Sequence, residues 1–343
     1  MESIHDFDCS AQIKVVGIGG GGCNAVNRMC EEMSDGADFI AVNTDAQSLL
    51  HSIAPCRIRI GDALTRGLGA GGDPYLGQRA AEESHEDLYE VLDGADMVFL
   101  TAGLGGGTGT GGLPVIAEIC RDIGALTVAI ITKPFSFEGK QRMDVADDGV
   151  TRLKKKLDTL IVIPNDRLLA TCEGTITVAE AFRSADRVLQ QGIQAITELV
   201  VVPGEINLDF ADVKTIMAGA GMALMSIGFG RGENRATDAA KAAISSPLLG
   251  VSMEGAKKVL FNITANDLTL FEVNEAASVI RQAADPDAQI IFGLVADPKM
   301  DLDVRITLIA TGFATPESRV AARDFRLREP AAVGDLPDFL RRL

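Results

Sequence analysis

The chain has 343 residues, of which 47% are hydrophobic and 23% charged, so it can form two ordinary domains and is not a disordered protein. Its net charge of −16 argues against a nucleic-acid-binding protein that neutralises phosphates. The polar, acidic start has no apolar core, and no apolar run approaches the roughly 18 residues of a membrane span, so a cytoplasmic protein without a signal peptide is expected. The six cysteines form no CxxC pair and the three histidines are dispersed, which disfavours a disulfide framework, a zinc site and a His-based catalytic centre.

Short apolar runs alternate with amphipathic stretches over the first 165 residues. The runs lie at 13–19, 38–44, 96–103, 126–134 and 159–165, and helical patterns occupy 22–33, 77–92 and 112–123. Strands that are apolar throughout are typical of a sheet covered on both faces. The alternation therefore predicts βαβ units in a parallel, doubly wound α/β sheet.

A single long helix is predicted next, over TVAEAFRSADRVLQQGIQAITELVVVPG, with its end at Pro203–Gly204. Its apolar positions, three and four residues apart, are Val178, Phe182, Ala185, Leu189, Ile193, Ile196 and Val200. A smaller α/β unit should follow, with helices near 211–225, 234–245 and 272–284 and strands in KKVLFNITA, AQIIFGLVAD and VRITLIATGF. Residues 316–333 suggest a tether, and DLPDFLRRL suggests a short amphiphilic terminal peptide.

Three glycine-rich loops indicate a phosphate ligand. In GIGGGGCNAVNRM, the glycines at 17, 19 and 22 satisfy G-x-G-x-x-G between a strand and a helix, and Asp45 follows at a distance suited to a ribose, so an NAD(P)-dependent oxidoreductase is one hypothesis. A dinucleotide enzyme needs one such loop, whereas RGLGAGGDP (66–74) and AGLGGGTGTGG (102–112) add two more. Three loops together indicate several phosphates wrapped by backbone N–H groups and attracted by helix N-termini, with hydroxyl donors from Thr108 and Thr110. No G-K-[S/T] follows the glycines, so a divalent cation should help to meet the phosphate charge.

The segment GGGTGTGG is identified as the tubulin-superfamily signature. Together with GIGGGGCNAVNRM, AVNTDAQSL, GLGAGGDP, TKPFSFEGKQRM, IPNDRLL and NLDFADVKTIM, it makes residues 12 to 314 resemble the FtsZ family of prokaryotic cell-division GTPases. The resemblance implies a Rossmann-like GTPase domain, a long central helix and a smaller α/β C-terminal domain. It also implies GTP/GDP and Mg²⁺ as ligands, and head-to-tail polymerisation into the dynamic filaments of a cytokinetic ring.

The resemblance further implies a domain organisation and a location. The implied parts are a flexible N-terminal segment (1–11), a GTP-binding domain (12–176), a central core helix (177–202), a C-terminal GTPase-activating domain (203–314), a linker tether (315–333) and a partner-binding peptide (334–343). The terminal peptide, Asp335–Leu343, would dock onto membrane-anchoring division proteins. The chain would then act in the cytoplasm, at the mid-cell division ring on the inner face of the membrane, without nucleic acid and without inserting into the bilayer.

The resemblance also assigns nucleotide contacts. Asp186 would accept both N–H donors on one edge of guanine, and Phe182 would stack near the base, although core packing is an alternative role for Phe182. Glu138 and Arg142 would contact ribose and phosphate, with a surface i,i+4 ion pair as the alternative. The other implied contacts are Asn24 and Asn165 at the base, Thr132 and Pro134 at the ribose, and Gly19, Gly20, Gly21, Gly22, Asn43, Asp45, Ala70, Gly71, Gly103, Gly105, Gly106, Gly107, Thr108, Gly109, Thr110 and Gly111 in the loops. Mg²⁺ would be held mainly by phosphates and water.

The implied catalytic acids are Asp209 and Asp212, supported by Asn207. The two acids stand three apart at a helix start, where simple helix capping is the alternative. About 16 residues separate Asp186 from the end of the long helix, roughly 24 Å at 1.5 Å per residue, so these acids should lie on the opposite face from the nucleotide of their own subunit. They would act on the GTP of the next subunit through a heterologous contact, which builds open filaments. A nucleotide-binding scaffold without hydrolysis is a third hypothesis.

Overall fold

The computed structural model describes residues 11–32, 36–169, 176–201, 209–248, 253, 255–297, 300 and 303–313. Several expectations fall outside these residues: most of the N-terminal segment, Asn207, the helix end at Pro203–Gly204, the linker tether and the terminal peptide. The expected domain boundaries stay predictions.

The strands of the described residues form one ten-stranded sheet with the order β3-β2-β1-β4-β5-β6-β7-β10-β8-β9. The strands are β1 (Ile13–Ile18), β2 (Asp38–Asn43), β3 (Cys56–Arg59), β4 (Met97–Gly103), β5 (Leu126–Lys133), β6 (Thr159–Pro164), β7 (Gly221–Arg231), β8 (Lys258–Ala265), β9 (Gln289–Ala296) and β10 (Asp303–Thr311). Strands β1 to β6 are parallel in the order of a Rossmann sheet. β7 runs parallel to β6, β10 is antiparallel to β7 and β8, and β9 is parallel to β8, so the predicted α/β fold class is confirmed.

Helices cover both faces of the parallel half of the sheet. They are α1 (Gly19–Glu32), α2 (Ala46–Leu50), α3 (Asp62–Thr65), α4 (Pro74–Glu83), α5 (His85–Leu92), α6 (Gly107–Ile123), α7 (Lys140–Leu153), α8 (Asn165–Leu169), α9 (Val178–Val201), α10 (Phe210–Met217), α11 (Arg235–Ile244) and α12 (Leu270–Ala283). Ile13 and Val15 of β1 pack with α1 and α9, whereas Val16 and Ile18 pack with α4 to α6. Both faces of this strand are therefore buried, which is why it is apolar throughout.

Helix α9 crosses the sheet toward the edge where the parallel strands begin. A Cβ at Gly36, just before β2, would lie 2.7 Å from Cγ1 of Val201, the last residue of α9. Helix α10 lies at the same edge, because Thr159, the first residue of β6, donates its hydroxyl to the Met217 carbonyl at 2.6 Å. Lys258, the first residue of β8, donates to the Thr215 carbonyl at 2.6 Å.

The structure corrects the expected helix over 211–225. Helix α10 ends at Met217, and Gly219 and Gly221 take positive φ values of +59° and +69° that favour glycine and turn the chain into β7. The segment GMALMSIGFGR is then strand β7: Ala223 and Met225 pack with α9, and Gly228 and Gly230 lie against α11. Its first five residues, GMALM, show no alternation of apolar and polar residues. The predicted helix at 77–92 is in fact two helices, α4 and α5, which meet at Ser84. The sequence analysis predicted neither β3 nor α7. Among the described residues, no helix has the length and apolar character needed to cross a membrane.

Candidate functional site

A cavity of about 270 Å³ opens at the carboxyl edge of the parallel strands. It includes the ends of the neighbouring strands β1 and β4, whose following helices α1 and α6 pack on opposite faces of the sheet. Open α/β sheets bind ligands at such a point, where the strand order reverses. Its walls come from the loops after β1, β4, β5 and β6 and from α9. The lining residues are Gly19, Gly20, Gly21, Gly103, Leu104, Gly106, Gly107, Thr108, Gly109, Thr132, Pro134, Glu138, Arg142, Asn165, Phe182, Ala185, Asp186 and Leu189.

Most of the predicted nucleotide contacts lie in this lining, but others do not. The predicted residues outside it are Gly22, Asn24, Asn43, Asp45, Ala70, Gly71, Gly105, Thr110 and Gly111. Leu104, Ala185 and Leu189 line the cavity although they were not predicted. The last two lie on the face of α9 that carries Asp186, so the three- and four-residue spacing of that helix contained the signal.

Glycine is present in the 102–112 stretch for two different physical reasons: close helix packing at some positions and an open cavity at others. A Cβ at Gly111 would lie 1.9 Å from the Pro74 carbonyl oxygen, and one at Gly107 would lie 2.9 Å from the Asp73 backbone nitrogen, because α4 packs directly on α6. A Cβ at Gly106 would meet no atom within 4 Å. The expectation that ligand phosphates account for the whole stretch therefore needs correction: Gly111 is required by helix packing, whereas Gly106 borders open cavity.

Asp45 does not reach the cavity. Its carboxylate accepts the Gln47 amide at 2.9 Å and caps helix α2. The capping bond explains an aspartate at this position without a ribose, so Asp45 alone is not evidence for an oxidoreductase, and its expected contact with a nucleotide stays a prediction. Thr110 is also engaged locally, since its hydroxyl accepts the Gly105 amide at 2.9 Å.

Asp186 forms the acidic end of the cavity together with a basic partner that the sequence reasoning missed. The Asp186 carboxylate accepts from Arg28 Nε at 3.2 Å, and its side chain is only 14% exposed. Burial raises the pKa of Asp186 to about 6, and the neighbouring guanidinium opposes that rise. Arg28 lies one helical turn after Asn24 in GGCNAVNRM. The sequence therefore predicted its position on α1, but not its contact with Asp186 of α9.

Asn165 and Phe182 stand near this acidic end. The Asn165 side chain is buried, and its Oδ1 has no hydrogen-bond partner, so it offers an unused acceptor to a ligand. The Phe182 ring packs edge-on against Phe135 with a centroid distance of 5.4 Å, yet it is still 40% exposed. Phe182 thus packs against its neighbour and also lines the cavity.

Glu138 and Arg142 form the i,i+4 ion pair that the alternative interpretation predicted, and both also line the cavity. Arg142 Nη1 donates to Glu138 Oε2 at 2.7 Å, and Glu138 Oε1 accepts the Phe135 amide at 2.9 Å. The glutamate is thereby held in place, while the paired Arg142 side chain remains 60% exposed at the cavity.

Asp209 and Asp212 lie outside the cavity lining. Asp209 caps helix α10 and accepts the Asp212 amide at 2.8 Å, so the capping alternative is realised. The other end of this short helix is fastened at the amino edge of the sheet, as described above. In the described part of the chain, no group of three or more His, Cys, Asp or Glu residues could hold a metal ion.

Comparisons with known proteins agree with this architecture. Residues 12–173 match the model of the Tubulin/FtsZ family GTPase domain, and residues 221–314 match that of the FtsZ family C-terminal domain. An empty FtsZ dimer from M. jannaschii is 46% identical, with 88% of this chain and 88% of that chain covered and a TM-score of 0.85. A point mutant of the M. jannaschii FtsZ is also 46% identical, with 89% and 92% covered and a TM-score of 0.86. The GDP-bound CetZ1 monomer from Haloferax volcanii shares the fold, at 21% identity over 92% and 99% with a TM-score of 0.78.

The two family models match both halves of the chain, and the GTPase-domain model covers every lining residue of the cavity up to Asn165. A relative that is 46% identical over 88% of both chains is far closer than fold similarity alone requires. The chain therefore belongs to the FtsZ family and carries the Tubulin/FtsZ family GTPase domain.

Proposed function

We propose that this chain binds GTP with Mg²⁺, polymerises head-to-tail and hydrolyses GTP where two subunits meet. The acidic loop of one subunit acts on the GTP held by the next. The dynamic filaments form the cytokinetic ring at the division site. Family membership supports the GTPase chemistry, and the M. jannaschii relative that was solved as a dimer supports self-association.

The cavity suits a guanine nucleotide with its base toward α9. Asp186 accepts from the two N–H groups on one edge of guanine, and the unpartnered Oδ1 of Asn165 is available as a further acceptor. Glu138 and Arg142 lie beside the ribose. The phosphates face Gly19 to Gly21 and Gly106 to Gly109, at the N-termini of α1 and α6, where free N–H groups and helix dipoles favour negative charge.

The donor set of the cavity suits Mg²⁺ that is bound through the nucleotide. Of the two carboxylates in the lining, Glu138 is paired with Arg142 and Asp186 with Arg28. Mg²⁺ commonly keeps several waters and binds substrate phosphates, and when bound it would neutralise phosphate charge.

The separation of the nucleotide cavity from Asp209 and Asp212 carries the proposal. The cavity lies at the carboxyl edge of the sheet, and α10 is fastened at the amino edge through Thr159 and Lys258. Helix α9 runs about 15 residues from Asp186 to Val201 between these edges, roughly 22 Å at 1.5 Å per residue. Acids at one edge and phosphates at the other meet only between two subunits, and a contact of this kind repeats into an open filament.

The first experiment measures GTP hydrolysis per subunit against protein concentration, with Mg²⁺. We expect almost no activity at low concentration and a steep rise above a threshold. Asp212→Ala should bind GTP but lose hydrolysis, because a group that orients the attacking water is missing. Asp238→Ala is the matched control, since Asp238 is an exposed acid in the first turn of another short helix. Activity per subunit that stays constant down to nanomolar protein would overturn the shared site.

The proposed ring also needs attachment to the membrane. We assign this to Asp335–Leu343, acting through membrane-anchoring division proteins at mid-cell on the cytoplasmic side. The assignment lies outside the described residues and is supported by the sequence resemblance. A chain that ends at residue 333 should polymerise and hydrolyse GTP normally but fail to concentrate at the division site in cells. Normal localisation of that shortened chain would refute the assignment.

A further inference from the structure

Thr44, to which the sequence analysis gave no role, contacts the cavity-lining residue Thr108 without lining the cavity itself. It follows β2 directly and is fully buried. Its hydroxyl lies 2.7 Å from the hydroxyl of Thr108, and Thr108 lines the cavity. The two hydroxyls therefore share a hydrogen bond in which either can be the donor.

The backbone of Thr44 holds a second glycine-rich loop. Its carbonyl oxygen accepts from the Thr65 hydroxyl at 3.3 Å and from the Gly69 amide at 3.2 Å. Gly69 belongs to the 66–74 loop, which packs on the start of α6 through Ala70 and Asp73. Thr44 thus joins the 66–74 loop to the 102–112 loop, and it does so directly behind Thr108.

The position of Thr44 in the sheet indicates which part of a nucleotide lies nearest. With the base at α9 and Asn165, just after β6, the strand order leads through β5, β4 and β1 to β2. Four strand spacings of about 4.8 Å give roughly 19 Å between the ends of β6 and β2. A GTP molecule laid along this edge, as the proposed function requires, brings its terminal phosphate toward Thr108 and Thr44.

Proton counting then fixes the direction of the shared bond. Each threonine hydroxyl has one proton, so Thr108 can donate to a phosphate oxygen and keep the shared bond only when Thr44 is the donor of that bond. We propose that Thr44 is a positioning residue that orients the Thr108 hydroxyl toward the terminal phosphate of GTP. GDP lacks that phosphate, so the contribution of Thr44 favours GTP. A bond that is already polarised by its neighbour is also stronger.

The test compares Thr44→Val, which keeps the shape and removes the hydroxyl, with Thr44→Ser, which keeps the hydroxyl. Equilibrium binding of GTP and of GDP is measured on the full chain with Mg²⁺, below the assembly threshold. We expect Thr44→Val to weaken GTP binding about fivefold, as for the loss of one pre-oriented side chain, and GDP binding by less than about twofold. Thr44→Ser should restore the wild-type ratio of GTP to GDP affinity. Thr44→Ala reports on the same bond if the valine variant does not fold.

Two controls separate this role from a merely structural one. Thr197→Val removes another buried hydroxyl, which has no partner, far along α9, and it should leave the affinity ratio unchanged. In a Thr108→Val background, Thr44→Val should produce no further change in the ratio, since Thr44 acts through Thr108.

The outcomes also separate this inference from the proposed function. Equal weakening of both nucleotides, or failure of Thr44→Ser to restore the ratio, overturns the inference while GTP binding by the wild type stands. A wild type that binds neither nucleotide overturns both.

Discussion

The two edges of the parallel sheet differ in what the chain places there. At the carboxyl edge, β1 and β4 are followed by glycines, and because glycine has no side chain a cavity remains there. At the amino edge, side chains close the structure: Asp158 accepts the Gly219 amide at 3.1 Å, and Thr159 and Lys258 bind the carbonyls of α10. One edge is built to receive a ligand and the other to present a fixed helix with two acids. This difference is the basis of the proposal that the cavity of one subunit and the acids of the next form one site.

The largest expected effect comes from mixing two variants, one without a catalytic acid at the amino edge and one without the guanine-binding acid at the carboxyl edge. Asp212→Ala and Asp186→Ala should each lower GTP hydrolysis by at least about a hundredfold, the first through catalysis and the second through nucleotide binding. Mixed in equal amounts, they should recover roughly a quarter of wild-type activity, because one interface in four pairs intact acids with bound GTP. Mixing Asp212→Ala with a chain that carries both changes is the control and should recover nothing. A mixture of the two single variants that stays inactive while it assembles contradicts a site shared between edges.

Substitution by alanine should distinguish the glycine required by helix packing, Gly111, from the glycine that borders the cavity, Gly106. In Gly111→Ala, the Cβ would lie 1.9 Å from the Pro74 carbonyl oxygen and 2.6 Å from the Gln78 amide nitrogen. Helices α4 and α6 must then move apart, so the free energy of unfolding should fall by about 3 kcal/mol or more in urea denaturation. Gly106→Ala should fold normally and instead weaken nucleotide binding, since its methyl group points into open space. Equal stability of the two variants would show that helix packing does not explain Gly111.

The buried carboxylate at the carboxyl edge should respond to pH in two opposite ways. Burial raises the pKa of Asp186 from 3.8 to about 6, so between these values the folded protein binds more protons than the unfolded chain. The free energy of unfolding without nucleotide should therefore fall as the pH rises from about 4 to about 6, more in the wild type than in Asp186→Asn. GTP affinity should rise over the same window, up to about tenfold per pH unit below the pKa, because the carboxylate accepts both guanine N–H groups. Calorimetric melting and equilibrium binding measure the two trends, and parallel trends would refute the assignment.

The smallest expected effect is at Arg28. Its guanidinium lowers the pKa of Asp186, so in Arg28→Met that pKa should rise further and the pH midpoint of GTP affinity should move upward. Near neutral pH we expect only about a two- to threefold loss of affinity, because Arg28 is partly exposed and screened by solvent. Arg28→Lys keeps the charge and should hold the midpoint close to that of the wild type. An unchanged midpoint in Arg28→Met would show that the pair does not control the acid.

The sequence alone determined the features that depend on neighbouring residues. Continuous apolar runs predicted β1, β2, β4, β5 and β6, and the regular spacing of apolar positions predicted α9. The glycine loops marked the ligand edge because glycine there follows a strand and precedes a helix. The distance along α9 was also readable, since a helix advances a fixed length per residue.

Tertiary structure decided which neighbours those residues meet. The sequence placed Gly106 and Gly111 in one stretch, and only the packing of α4 on α6 separates the glycine at the cavity from the glycine between helices. It extended a helix to residue 225, over the first five residues of β7, because the apolar run GMALM does not alternate as an exposed strand does. The partners Arg28 and Thr44 were invisible for a related reason: each acts across more than sixty residues of chain, on Asp186 and Thr108. Such contacts depend on how the elements pack, and local patterns carry no record of that packing.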